Sequence, residues 1–486
     1  MNALAVFVIV YMTISISIGI YAAMRVRSST DYILAGRSLP IYVTIATVFA
    51  TWFGSEAVLG MPATFIEDGL GGIVADPFGA GLCLIFVGLF FAARLYRMKL
   101  LTIGDFYRQR YGRSVETLVS IAICISYLGW VSAQIVALGL TISLISGDMI
   151  SFEWGMAIGL GVVVFYTIFG GMWSIAIMDF IQMMAILAGL LIVAYLIAGR
   201  LDSGVMTVID HAAAHNKFDF WPDMNAAAIL GFIGAFITLA LGSIPQQDVF
   251  QRVMSAKDEK TAIRGTVIGG CFYILFCFVP IFIAYGAIML EPALADTHMG
   301  EDGDPQRILP EFILAHVPIA VQVMFFGALL SAIMSTASGT LLAPSAILAE
   351  NIFKEAFKLN DKQLLITLRG CVLGFGLLIY GYAYLSSSAG HSIFEMVENA
   401  YLVTLCGAFV PLAFGVYWSK ATNAGALISI ALGVTSWAVL EGLNLQMAAH
   451  DQEMMVPPQL AGLGMAIIGM IGGSLIPQIN TKKAAV

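Results

Sequence analysis

Phe53-Gly54-Ser55-Glu56 and Gly60-Met61-Pro62 interrupt one apolar stretch, residues 41–67. Gly242-Ser243-Ile244-Pro245-Gln246-Gln247-Asp248 interrupts another, residues 226–252. Both stretches are long enough to cross a bilayer, so the interruptions fall at bilayer depth. Glycine and proline weaken a helix, and in lipid every backbone group freed by a break needs a partner. Interrupted helices therefore persist only where they face protein or a water-filled cavity. Two of them at corresponding places in two halves of a chain point to a carrier with a binding site near the midplane.

The rest of the chain fits that reading. Of its 486 residues 59% are hydrophobic and 11% charged, against about 25% charged in soluble domains. Apolar stretches near 3–24, 41–67, 75–97, 115–147, 152–170, 174–199, 226–252, 264–290, 319–350, 364–385, 393–418, 422–441 and 459–478 can each cross roughly 30 Å of hydrocarbon. The first reads as a retained span, since it lacks a basic n-region and a small-residue cleavage site. The longest loops, 200–225 and 291–318, leave no room for a soluble domain. With the N-terminus outside and the C-terminus inside, all of the 23 Lys and Arg except Arg200, Lys217 and Arg307 fall on cytoplasmic ends, Arg252, Lys482 and Lys483 among them. Such a bias sets orientation.

The expected fold is therefore an all-α polytopic membrane protein of 13 transmembrane helices. Residues 1–40 hold an extra N-terminal helix and a cytoplasmic loop, and 419–486 hold two C-terminal helices. Between them lie two sets of five spans, 41–199 and 226–418, each opening on a broken helix. Five is odd, so the second set enters the membrane from the opposite side and the two are related by inversion.

The six cysteines (Cys83, Cys124, Cys271, Cys277, Cys371, Cys406) lie in spans at unrelated spacings and read as small core residues. The six histidines (His211, His215, His298, His316, His391, His450) lie in or beside extracellular loops, which removes the usual ligand for haem and for a proton relay in the bilayer. The net charge of −8 is concentrated outside, at Glu291, Asp296, Glu301, Asp302, Asp304 and Glu311. That run reads as a solvated loop, and no nucleic-acid partner is expected.

Ser335-Thr336-Ala337-Ser338 offers three hydroxyls in four residues, and Ala332, Ser335 and Thr336 share a helical face. A small hard cation such as Na+ takes several oxygens. Two hydroxyls, the carbonyl of Ala332 and carbonyls freed at the first break would supply them; helix packing through small residues is the competing reading. Asp179, near the cytoplasmic end of its span, reads as an ion ligand or exit path, or as a partner of a nearby arginine. Glu56 either meets a cationic group on a solute or bonds to unwound backbone. Asp248 precedes Arg252 by four residues, the spacing of an intrahelical ion pair. Around the breaks, Trp52, Gly54, Ser55, Glu56, Trp130, Gln134, Gln246 and Gln247 are the candidates for solute binding. Tryptophans could enclose a quaternary ammonium or merely pack, while amides in lipid favour a polar cavity.

These residues together resemble the solute:sodium symporter family. Asp31-Tyr-Ile-Leu-Ala-Gly36-Arg37-Ser-Leu-Pro40 is similar to its entry to the first core helix, and Tyr166-Thr-Ile-Phe-Gly170-Gly171 with Asp179-Phe-Ile-Gln182 to its fifth. Gln246-Gln-Asp-Val-Phe250-Gln251-Arg252-Val, Ser335-Thr336 and Glu350-Asn351 complete the match. The resemblance implies a LeuT-like fold with sodium held by the carbonyls of Ala50, Phe53 and Ala332 and the hydroxyls of Ser335 and Thr336. It also implies a second sodium, in some members, near the positions of Asp179 and Ser338. Within the family, Ala50-Thr51-Trp52, Trp130 and Ile244-Pro245 resemble the high-affinity choline transporters, which carry a tryptophan where this chain has Gln246.

The expected function is sodium-coupled uptake of a small polar organic solute across the plasma membrane, the inner membrane in a bacterium. A proton-coupled carrier, with Asp179 or Glu56 titrating, and a sensor or channel-like protein that does not pump are the alternatives. No nucleophile–base pair or metal cluster points to an enzyme.

Overall fold

Apolar runs in a bilayer must close their backbone hydrogen bonds internally, and this chain does so as helices. The computed structural model describes residues 3–147, 149–299, 303–388, 393–448 and 456–476. His391, His450, Glu301, Asp302, Lys482 and Lys483 lie outside the described residues. Among the described residues the only extended pairing is a parallel bridge between Leu39 and Ala256.

In chain order the principal helices are α1 (Leu4–Ala22), α2 (Ile41–Trp52), α3 (Glu56–Gly71), α4 (Val74–Arg97), α5 (Arg113–Ser146) and α6 (Phe152–Ala198). There follow α7 (Val205–Ala214), α8 (Ala226–Gly242), α9 (Gln247–Met254), α10 (Glu259–Leu290) and α11 (Ile319–Phe357). Last come α12 (Asp361–Ser387), α13 (Ile393–Tyr417), α14 (Asn423–Met447) and α15 (Pro458–Leu475). Ten of these are long and apolar enough to cross a membrane. The pairs α2–α3, bent by 63°, and α8–α9, bent by 45°, raise the number to as many as twelve. The bends fall at Phe53-Gly54-Ser55 and at the Gly242–Gln246 interruption. Gly60-Met61-Pro62, also read as an interruption, lies instead within α3, with helical backbone angles at Gly60 and Met61.

Helix α6 runs for 47 residues, about 70 Å at 1.5 Å per residue, more than twice the hydrocarbon thickness. It contains one non-helical residue, Gly171, at φ 50° and ψ −141°. A Cβ added there would sit 2.5 Å from the carbonyl oxygen of Tyr32. Gly171→Ala is therefore expected to lower stability by about 1–3 kcal/mol for the backbone conformation alone. The melting temperature of the purified protein is the readout.

Buried tyrosines tie the bundle together by donating to main-chain carbonyls of other segments. Tyr32 reaches Thr167 at 2.8 Å, Tyr107 reaches Ala408 at 2.9 Å and Tyr166 reaches Met334 at 2.7 Å. Each satisfies the polar tip of a large apolar side chain where water is absent. The outward faces carry exposed apolar residues such as Tyr195, Leu275 and Ile366, as a lipid-facing surface requires.

Three expectations are corrected. Arg252, counted with the cytoplasmic charges, is only 1% exposed and lies inside the protein, because its partners are two buried carboxylates. Cys271 is exposed, while the other five cysteines are buried; its position on α10 faces outward. The stretches read as loops contain helices: α7, Pro292–His298 and Ile308–His316.

Candidate functional site

The first break is built from α2 and α3. Helix α2 ends at Trp52, Phe53 leaves the helical region at ψ 75°, and the Gly54 N–H turns back to the Trp52 carbonyl at 2.9 Å. The freed groups find partners in α5. The Ser55 N–H donates to Gln134 Oε1 at 3.0 Å, and Gln134 Nε2 donates to Glu56 Oε2 at 2.7 Å. Gln134 thus satisfies the broken backbone with one end of its amide and the carboxylate with the other. Gly54 sits where these groups converge. A Cβ there would meet Gln134 Oε1 at 2.7 Å, Thr336 Oγ1 at 2.8 Å and Glu56 Oε2 at 2.9 Å.

Helix α11 closes the break from the other side. Thr336 Oγ1 donates to the Ala50 carbonyl at 3.2 Å, and Ser335 Oγ donates to Asp179 Oδ1 at 2.5 Å. Ser338 Oγ donates to the Ser335 carbonyl at 2.9 Å. Ala50, Phe53, Ala332, Ser335, Thr336, Ser338 and Asp179 are all buried. Hydroxyls and main-chain carbonyls are the donor set that a small hard cation prefers.

The second break places Gln246 and Gln247 differently. Gln246 Nε2 donates to Ser126 Oγ at 2.9 Å, and the Thr404 hydroxyl donates to the freed Gly242 carbonyl at 2.8 Å. Gln247 Oε1 accepts from the Ile103 N–H at 2.8 Å, so that end of its amide caps the helix Ile103–Tyr111. Asp248 exchanges hydrogen bonds with the Tyr127 hydroxyl.

Arg252 lies between two acids, 3.7 Å from Asp179 and 3.9 Å from Asp248. The intrahelical pair read from the i, i+4 spacing is present, and a second carboxylate from α6 joins it. Gly339 on α11 makes room, since a Cβ there would lie 2.8 Å from the guanidinium carbon. The charge of Arg252 thus lies four residues along α11 from Ser335.

Trp52 and Trp130 face each other edge-on with ring centroids 6.4 Å apart. Tyr401 lies 6.4 Å from Trp52 and 5.4 Å from Trp130, Tyr273 lies 6.4 Å from Trp52, and Tyr127 stacks on Trp130 at 6.0 Å. Tyr273 donates to the buried Asp76 at 2.6 Å. Neither Glu56 nor Asp76 has an ion-pair partner among the described residues. The sequence reading did not single out Asp76, Tyr127, Tyr273 or Tyr401. Asp76 had a signal, an acid inside the apolar stretch 75–97; the tyrosines had none.

Two helices broken at bilayer depth, meeting a hydroxyl-rich third, define a secondary transporter. The sodium:solute symporter family model matches residues 32–433. The human high affinity choline transporter 1 is 29% identical over 411 residues, covering 78% of this chain and 69% of its own. The high-affinity proline transporter PutP of Bacillus subtilis is 29% identical and covers 96% of both chains. A substrate-bound, outward-open Na+-coupled sialic acid symporter superposes with a TM-score of 0.82 at 17% identity, over 97% of both chains. A nucleobase-cation-symport-1 family transporter superposes at 0.56 over 91% of this chain and 94% of its own.

The chain belongs to the sodium:solute symporter family. It is an all-helical, multi-pass plasma-membrane transporter (of the inner membrane in a bacterium) with LeuT-like structural neighbours, it carries out sodium-coupled symport, and it is not an enzyme.

Proposed function

We propose that the solute is a small organic cation, a quaternary or protonated amine, taken up with sodium by alternating access. One observation carries the reading. Two buried carboxylates without a basic partner among the described residues adjoin one aromatic cluster: Asp76 accepts from Tyr273 and Glu56 lies by Trp130, while the Trp52 ring packs against Trp130, Tyr273 and Tyr401. A buried anion is stable only when paired, and aromatic faces attract a cation. The likeness to a choline transporter supports this solute class. Gln246 stands here where choline transporters have a tryptophan, so this cage is completed by tyrosines.

Sodium would be held by the carbonyls of Ala50, Phe53 and Ala332 and the hydroxyls of Ser335 and Thr336, joining α2 to α11. The contact of Thr336 with Ala50 supports that site. Asp179 and Ser338 would serve a second ion or the exit path, with Arg252 holding the carboxylate until the ion arrives. Dividing α6 at Gly171 brings the spans to 13, with the N-terminus outside, the C-terminus inside and inverted repeats over 41–199 and 226–418. The uneven distribution of Lys and Arg supports that orientation.

One sodium crossing about 100 mV gains roughly 2.3 kcal/mol. A tenfold sodium gradient adds about 1.4 kcal/mol. A monovalent cationic solute gains the voltage contribution once more.

The test is thermal stability of the purified protein across small amines, amino acids, sugars and organic acids, in sodium and in potassium. Ligands that bind the folded state raise stability by mass action. An amine is expected to stabilise the protein in sodium and much less in potassium. Stabilisation by a sugar or an organic acid alone would sink the proposed solute class. Glu56→Gln, which keeps the Gln134 contact but removes the charge, is expected to weaken amine binding roughly tenfold or more, from about 1.5–3 kcal/mol for a charged hydrogen bond. Unchanged affinity in that variant would remove Glu56 from the site.

A further inference from the structure

Gln246 uses only one end of its amide to close the second break. The residue is 1% exposed. Nε2 donates to Ser126 Oγ of α5 at 2.9 Å and to Thr404 Oγ1 of α13 at 3.4 Å. Oε1 has no hydrogen-bond partner among the described residues.

The surrounding network fixes which end of the amide is which. A hydroxyl has one proton to give. Ser126 gives its proton to the Ile123 carbonyl at 2.7 Å. Thr404 gives its own to main-chain carbonyls, Gly242 at 2.8 Å or Tyr401 at 3.1 Å. Both hydroxyls can then only accept from Gln246, so the amide NH2 faces them and the carbonyl oxygen faces away. A turned amide would set that oxygen against two hydroxyls with no proton left to offer. Oε1 is thus a buried acceptor, held in place, and burial without a donor is costly.

That acceptor borders the aromatic cluster. Ser126, Trp130 and Gln134 follow one another at four-residue spacing on one face of α5. Ser126 holds Gln246, Gln134 holds Glu56, and Trp130 stands between them. At 1.5 Å per residue, each neighbour lies about 6 Å along the axis from Trp130. Thr404 follows Tyr401 by three residues on α13, and the Tyr401 ring lies 5.4 Å from that of Trp130. A cation resting on Trp130 therefore has the Glu56 carboxylate towards one end of α5 and the Gln246 amide towards the other.

We infer that Gln246 selects solutes whose cationic nitrogen keeps at least one N–H: primary, secondary and tertiary ammonium ions over quaternary ones. The inference rests on the amine reading of the site and narrows it. The aromatic rings and the carboxylate charges attract both kinds of cation. The Gln246 carbonyl offers a hydrogen bond that a fully methylated nitrogen cannot return. Such a nitrogen turns a methyl group towards Oε1 and leaves that oxygen buried and unpaired. A site built to bond an N–H discriminates strongly against the analogue that lacks it.

The experiment is calorimetric titration of the purified protein, in sodium, with ethanolamine and its N-methyl, N,N-dimethyl and N,N,N-trimethyl derivatives. These probes share one charge and one hydroxyl and differ only in the methyl groups that replace N–H. Affinity is expected to fall at least tenfold at the last step, from the tertiary to the quaternary amine. Gln246→Met keeps the length of the side chain and has no carbonyl. In that variant the fall is expected to vanish, since the added methyl then contributes only apolar contact. The readout is a ratio of two ligands on one protein, so a general loss of stability does not move it.

A quaternary probe that binds the unaltered protein as tightly as the tertiary one overturns the inference and leaves the amine reading standing. That comparison decides even where Gln246→Met fails to fold. A fall that persists in Gln246→Met overturns the role of Gln246. If none of the four probes binds, the inference falls, and the wider panel of solutes above decides whether the amine reading falls with it.

Discussion

Replacing Ser335 and Thr336 by alanine is expected to raise the sodium concentration for half-maximal uptake by at least tenfold for each hydroxyl lost. The contribution of one hydrogen-bonding oxygen to a charged group is about 1.5–3 kcal/mol, and every 1.4 kcal/mol is roughly a tenfold change in affinity. Both hydroxyls are buried, so no solvent replaces them. The two changes should also differ from each other. Thr336 contacts only main chain at the break, through the Ala50 carbonyl, so Thr336→Ser should behave nearly as the unaltered protein. Ser335 bonds Asp179, so Ser335→Ala also leaves that carboxylate one donor short and should lower stability in the absence of sodium. Sodium dependence of uptake unchanged in the double variant would exclude these hydroxyls as ligands.

The second large effect is expected at Arg252. Arg252→Met leaves Asp179 and Asp248 buried with no counter-charge, and breaking a buried pair in this way typically costs about 3–5 kcal/mol. The melting temperature of the purified variant should fall well below that of the unaltered protein. Adding Asp179→Asn and Asp248→Asn should restore most of the loss, because the missing charge then has nothing to balance. Gly339→Ala tests the same contact from the other side, since its methyl group occupies space that the guanidinium fills. An Arg252→Met variant as stable as the original would mean that water reaches these carboxylates.

The breaks were legible in the sequence because glycine and proline violate a local rule where lipid permits no exception. The bends of 63° and 45° fall at those residues. Three hydroxyls within four residues pointed to Ser335 and Thr336, and an acid inside a span pointed to Asp179; the family resemblance then implied their roles around sodium. The aromatic cluster was legible only in part. Trp52 and Trp130 stood near breaks, but Asp76, Tyr273 and Tyr401 come from α4, α10 and α13, and nothing local announces that they meet. Arg252 was misplaced for a related reason. A count of charges near span ends cannot distinguish an arginine in the cytosol from one turned inward between two acids. Gln247 shows the same limit, since its carbonyl serves the Ile103 N–H of a distant helix.

The arrangement at Arg252 has an electrical consequence. Asp248 and Arg252 ride on the same half-helix, α9, whose sequence from Gln247 to Met254 holds no other charged side chain. Any tilt of α9 carries one positive and one negative charge together, so it displaces almost no net charge through the membrane field. A separate charge moved across the whole field would feel about 2.3 kcal/mol per 100 mV; this neutral pair feels almost none of it. A movement of α9 alone therefore adds almost nothing to the voltage sensitivity of the cycle, which falls on the ions that pass through and on the carboxylates outside α9.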